Sequence, residues 1–203
     1  EPCLLQMPDY VPSDSVSNGA YEDSSRFTVN GRTMRVDNSY QLEHYHINMA
    51  TYLQIGKWLD YLKECGVYDN TRIIIVSDHG RTLGQFDDLL VSEELDVQGY
   101  HPILLVKDFN AGEFSISQEF MTNGDVPLLA LEGLVENPMN PFTGNSIDDT
   151  AKKEGRLYIT TAENYDQNPE NTIDMTGGVW YTITGENIFD KNNWKKVEEP
   201  VVE

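Results

Sequence analysis

Cysteine is scarce, basic residues are outnumbered and long apolar runs are missing, and each shortage excludes something. The two cysteines, Cys3 and Cys65, have no paired spacing. Two thiols cannot form a zinc knot alone, and a bridge between them is not expected, so the fold must rest on its core. They leave the redox compartment open. Only 14 Lys and Arg stand against 34 Asp and Glu, for a formal net charge of -20. The longest basic runs are the pairs Lys152-Lys153 and Lys195-Lys196. Such a field repels nucleic acid and anionic headgroups, which are gripped by clustered Lys and Arg, so no nucleic-acid partner is expected. No apolar stretch reaches the roughly 18 residues of a spanning helix. There is no Met start and no signal peptide. A chain opening at Glu1-Pro2 reads as a piece of a longer protein. Any membrane attachment is then expected only through an N-terminal segment absent here.

What is present suffices for a folded domain. The 203 residues are 39% hydrophobic and 10% aromatic, too apolar for a disordered chain. Residues 1–45 are polar and turn-rich, with a hairpin shape at Arg26-Phe27-Thr28-Val29, Asn30-Gly31, Arg32-Thr33-Met34-Arg35-Val36. From Ile47 to Cys65 the apolar positions recur at helical spacing. Ile47, Ala50, Gln54, Trp58, Tyr61, Leu62 and Cys65 fall on one side, with Lys57, Asp60, Lys63 and Glu64 on the other. That pattern predicts an amphipathic helix packed on a flat layer, ended by Gly66.

After a turn at Val67–Thr71, the run Ile73-Ile74-Ile75-Val76 predicts a strand buried on both faces, as in a parallel sheet covered by helices. Ile103-Leu104-Leu105-Val106 predicts a second. Asp125, with Pro127 in the first turn, predicts a capped helix through Leu134. Residues 137–150 read as a Pro/Gly/Asn-rich loop. Arg156–Thr160 and Val179–Ile183 read as strands of a small antiparallel unit. The expected fold is α/β, with a catalytic-type domain over 1–150 and a β-rich extension over 151–203.

Ser77-Asp78-His79-Gly80 directly follows the first buried run. Ligands of open α/β sheets bind beyond the carboxyl ends of strands, so Asp78 and His79 stand where a site is expected. An adjacent carboxylate and imidazole are donors suited to Zn²⁺ or Mn²⁺. Gly80 allows a sharp turn and close approach to a ligand. The competing reading makes Asp78 a helix cap and His79 an ordinary loop histidine. Gly80 and Gly84 have no Lys-Ser/Thr after them, which excludes a P-loop.

The stretch Tyr52–Gly84, YLQIGKWLDYLKECGVYDNTRIIIVSDHGRTLG, resembles the helix, strand and metal loop of one enzyme group. This is the sulfatase and lipoteichoic-acid-synthase-like branch of the alkaline phosphatase superfamily. His101-Pro102-Ile103-Leu104-Leu105-Val106-Lys107 resembles that group's next strand. Asp125-Val126-Pro127-Leu128-Leu129-Ala130-Leu131 resembles its D-x-x-P-T-L-L helix, with Leu128 where Thr is usual. The resemblance spans about residues 45–150.

It implies a partial alkaline-phosphatase-like sheet, mostly parallel, with Asp78 and His79 as ligands of one divalent cation (Zn, Mn, Mg or Ca). The other ligands and a Thr or Ser nucleophile would come from the missing N-terminal half of the same catalytic domain. Cys3, followed by Leu4-Leu5, does not match the formylglycine pattern, and Ser13, Ser15 and Ser17 have no strand before them. The substrate would be a phosphate or sulfate ester at the extracytoplasmic face of a bacterial membrane. His101, or His46, is the candidate to protonate the leaving oxygen. Arg81 is the candidate to hold an anionic substrate group, and His44 is a bystander. The alternatives are a non-catalytic extracytoplasmic binding or structural domain, towards which Gln54 and Gln85 lean in place of acidic or histidine residues, and a phosphoglycerate-mutase-like cytosolic enzyme.

Overall fold

A computed structural model describes residues 5–6, 11–12, 27–29, 31–92, 95–153, 157–160, 164–167, 173–176, 178–184 and 187–198. Cys3, Ser13, Ser15, Ser17, Arg26, Asn30 and Arg156 lie outside them. In chain order the first elements are β1 (Leu5–Gln6), β2 (Val11–Pro12), β3 (Thr28–Val29), β4 (Arg32–Thr33) and α1 (Ser39–Glu64). Next come β5 (Ile73–Val76), β6 (Leu90–Ser92), β7 (Leu95–Asp96), β8 (Leu104–Lys107), α2 (Val126–Leu131) and α3 (Thr150–Lys153). The last are β9 (Tyr158–Thr160), β10 (Asn164–Gln167), β11 (Ile173–Thr176), β12 (Trp180–Ile183) and β13 (Trp194–Val197). Helices and small sheets are mixed, and every strand pair among the described residues is antiparallel. The chain divides into two units, 1–90 with 98–114, and 91–97 with 115–203.

The first unit is organised by α1. Its start is Ser39 rather than Ile47, because the Asn38 side chain accepts a hydrogen bond from the Gln41 N–H and caps the first turn. His44 and His46 are therefore inside the helix. Its end is the expected one. Gly66 has φ +70, its N–H donates to the Lys63 carbonyl, and the Val67 N–H donates to the Leu62 carbonyl. Those two bonds are the glycine-closed Schellman stop.

The β3–β4 hairpin forms with Thr28 opposite Thr33 and packs on the early helix. Phe27 and Leu42 are buried, with Met34, Val36 and Tyr45 against them, and the Phe27 and Tyr45 rings meet edge-on at 5.0 Å. The predicted apolar stripe packs only in part: Ile47, Ala50 and Leu62 are half-buried, and Gln54, Trp58, Tyr61 and Cys65 are exposed. Only Gln41, Leu42 and His46 are buried in α1, while Trp58 is 46% and Tyr61 60% exposed. Helical spacing marks a face, but whether a layer covers that face is a tertiary matter.

Among the described residues β5 pairs with β8 alone, antiparallel, Ile73 opposite Lys107 and Val76 opposite Leu104. The expectation of burial on both faces is corrected: Ile73 is buried, but Val76 is exposed. An unbroken aliphatic run specifies a strand, not the layers above and below it.

In the second unit, β13, β12 and β9 make a three-stranded antiparallel sheet, as the strand-like patterns at 156–160 and 179–183 predicted. Alternation along β12 buries Tyr181 and Ile183. Trp194 is buried too, and its indole N–H donates to the Ile188 carbonyl at 2.7 Å. The helix predicted from Asp125 to Leu134 ends earlier, at Leu131, and Asp125 does hold its N-cap position, though without a side-chain cap bond. Thr122 caps the 3-10 turn Asn123–Asp125 just before it, where the Asp125 carboxylate reaches back to accept from the Thr122 N–H at 2.6 Å, the reciprocal arrangement of a capping box. Lys152 Nζ lies 3.1 Å from Asp125 Oδ1 and joins α3 to this turn.

Candidate functional site

The sheet of the first unit ends at a serine. The Ser77 N–H donates to the Ile103 carbonyl at 3.1 Å, and Ser77 Oγ accepts from the Ile103 N–H at 2.9 Å. A side chain thus supplies the closing rung, and the chain leaves the ladder at Asp78.

Asp78 and His79 both face solvent, with 87% and 63% of their side-chain area exposed. Asp78 Oδ1 accepts from the His79 N–H at 2.9 Å, and Asp78 Oδ2 lies 3.6 Å from His79 Nε2. His79 Nδ1 is hydrogen-bonded to the Gly80 carbonyl. A carbonyl only accepts, so Nδ1 is the donor in this contact and Nε2 is the ring nitrogen turned towards Asp78. Two donors each about 2.1 Å from one tetrahedral cation stand about 3.4 Å apart. The spacing and chemistry of this pair therefore suit two positions of a cation's ligand set. Among the described residues, no group of three or more His, Cys, Asp or Glu is placed to hold a metal ion.

Gly80 is required by packing rather than by an unusual turn. It is absent from the positive-φ glycines, and a Cβ there would overlap the Gln98 carbonyl oxygen and stand 2.9 Å from the His101 carbonyl oxygen. The close approach is to the protein's own 98–101 turn, with the Gly80 N–H donating to the Gly99 carbonyl at 3.0 Å. His101 is thereby brought beside the loop through its backbone. The residue is partly exposed, and burial of the rest of the ring holds its pKa below the usual imidazole value.

His46 is fully buried in α1, with its ring 6.0 Å from that of Tyr45, and this burial withdraws it from direct contact with a substrate. Arg81 turns back onto the first turn of α1, where its Nε donates to the Tyr40 hydroxyl at 2.8 Å and its Nη2 donates to the same oxygen. The guanidinium carbon is 5.6 Å from the Tyr40 ring centroid, and the His44 ring meets the Tyr40 ring edge-on at 4.5 Å. Burial, then the positive charge of Arg81, lowers the His44 pKa against a smaller opposing effect of Glu43.

Sequence reasoning missed Tyr40 and Gln41. Gln41 is buried, donates to the Leu83 carbonyl at 2.7 Å and accepts from the Asp37 N–H at 2.7 Å. Gln85 is a structural clamp: its side chain donates to the Arg35 carbonyl at 3.0 Å, and its N–H donates to the Gln98 side chain at 3.0 Å. Gln54 is exposed on α1. No family model matches this chain, and no curated protein or solved structure matches it either. No helix among the described residues is long and apolar enough to cross a membrane.

Proposed function

We propose that this chain carries the metal-loop portion of a divalent-metal-dependent phosphotransferase or hydrolase acting on phosphate or sulfate esters. The reading places it with the sulfatase and lipoteichoic-acid-synthase-like enzymes, at the extracytoplasmic face of a bacterial membrane. The observation that carries it is the pair Asp78 and His79, solvent-facing at the end of β5, with Asp78 Oδ2 and His79 Nε2 3.6 Å apart. The remaining ligands and the nucleophile belong to an N-terminal half of the catalytic domain. A cation bound there supplies a lowered pKa for a hydroxyl nucleophile and neutralisation of charge on the ester oxygens. Asp78 and His79 hold and orient that charge, Arg81 receives the anionic group, and His101 stands beside the loop as the candidate proton donor. In the complete domain, β5 lies in a mostly parallel alkaline-phosphatase-like sheet. β5 pairs antiparallel with β8 here, so the parallel strands of that sheet would have to join the outer edge of β5.

A second reading, a binding or structural domain that keeps the fold without the chemistry, is favoured by the lack of a three-donor metal group among the described residues. Calorimetric titration with Mn²⁺ and with Zn²⁺ tests the first reading. Weak binding by the wild type, lost in both His79→Ala and Asp78→Asn, is the expected result. Equal binding by all three proteins would remove the site.

A further inference from the structure

We propose that Tyr40 is a positioning residue that presents Arg81, with His44 at its side, as the binding point for a tetrahedral oxyanion. This names the group that seats the ester, and it rests on the proposed function only for the identity of that ester. Capture of the anion itself requires neither a cation nor a nucleophile.

The first observation is a charge left unneutralised. Acidic residues far outnumber basic ones in this chain. Arg35 accordingly pairs with Asp37 and Asp87, Arg72 with Asp108, Lys152 with Asp125 and Lys153 with Asp149. Arg81 has no carboxylate partner among the described residues, although it lies two positions beyond His79 on an exposed loop. Its partner is instead the neutral Tyr40 hydroxyl, which receives Nε and Nη2 together. That arrangement fixes the direction of the guanidinium and leaves its positive charge and its Nη1 edge unspent. A planar fork held in this way suits an oxyanion, which it can grip through two parallel N–H bonds.

The second observation is independent of the first. His44 Nε2 is shielded from solvent and has no hydrogen-bond partner, while its ring stands against Tyr40. A buried polar atom without a partner is costly and calls for a ligand or an ordered water. Tyr40 and His44 are one helical turn apart, so α1 displays both on the same face towards Arg81.

The test is an NMR titration of the metal-free chain, in the presence of chelator, with inorganic phosphate and separately with inorganic sulfate. Sodium chloride at matched ionic strength is the reference. The Arg81 Nε–H and the His44 ring resonances are followed. Saturable shifts of both with either oxyanion support the proposal, and the tighter of the two names the ester. Arg81→Gln abolishes the His44 shift. Tyr40→Phe, which keeps the ring and the edge-on contact, weakens binding roughly tenfold without changing the thermal midpoint. Shifts no larger than those from chloride would overturn the subsite, and wild-type affinity in Tyr40→Phe would overturn the positioning role. Because the anion titration contains no metal, its failure leaves the Mn²⁺ and Zn²⁺ calorimetry untouched, and the reverse also holds.

Discussion

Replacing Gly80 by Ala places a methyl group against two backbone carbonyl oxygens, those of Gln98 and His101. Neither can rotate away as a side chain would. Relief requires the loop to move outward, which breaks the 3.0 Å bond from the Gly80 N–H to the Gly99 carbonyl. Overpacking costs about 1–3 kcal/mol, and the lost bond adds about 1 kcal/mol. Gly80→Ala is therefore expected to destabilise the first unit by about 2–4 kcal/mol. Gly84 is the control, because a Cβ there meets nothing within 4 Å but its φ is +59. Gly84→Ala pays only for backbone conformation, about 1–2 kcal/mol.

The two sites also differ in how they rank substitutions. Asn tolerates the left-handed region, so Gly84→Asn is cheaper than Gly84→Ala. At Gly80 the larger Asn is no better than Ala. Urea unfolding followed through the amide resonances of β5 and β8 measures the first unit separately from the second. A Gly80→Ala midpoint equal to wild type would refute the close approach. An advantage of Asn over Ala at Gly80 would assign its cost to backbone conformation instead.

Two further outcomes follow from burial and charge. Leu42→Ala removes a fully buried side chain and costs about 2–5 kcal/mol, whereas Trp58→Ala costs below about 0.5 kcal/mol, as expected for a side chain 46% exposed. The same urea experiment checks both, and a large loss at Trp58 would restore the packed stripe predicted from helical spacing. His44 and His101 both titrate below the usual imidazole value of about 6.5. Depressed folded pKa values mean that the unfolded chain binds these protons more readily, so their stabilisation is present above that value and is lost as pH falls through the folded values. Imidazole NMR titration reads both groups. Arg81→Gln should raise the His44 pKa and leave that of His101 unchanged, and equal movement of the two would contradict the cluster around Tyr40.

Local chemistry was legible where its signal was local. The Gly66 stop, the β3–β4 hairpin, and the strands at 73–76, 104–107, 158–160 and 180–183 all declare themselves within a few residues. The start of α1 was not read because the buried side of its first turns is Gln41, Leu42 and His46, two of them polar, which apolar periodicity does not register. The Asn38 cap was the available signal. Tyr40, Gln41 and Gln85 could not be assigned, since each has a defining partner more than forty residues away along the chain, Arg81, Leu83 and Arg35 in turn. Pairing direction was hidden as well. A run of four aliphatics is compatible with a parallel or an antiparallel neighbour.

The two-stranded β5–β8 ribbon has a consequence for behaviour in solution. Each strand has an outer edge without a ladder partner among the described residues, and Val76 and Val106 are 39% and 47% exposed. Open aliphatic edges are templates for adding strands from other molecules. Mutual repulsion between chains carrying a formal charge of -20 opposes such addition by further copies. That repulsion is long-ranged only in dilute electrolyte, with a reach of about 30 Å at 0.01 M and about 8 Å at 0.15 M. Raising the salt concentration therefore drives this protein towards self-association, and its colloidal stability is greatest where ions are few.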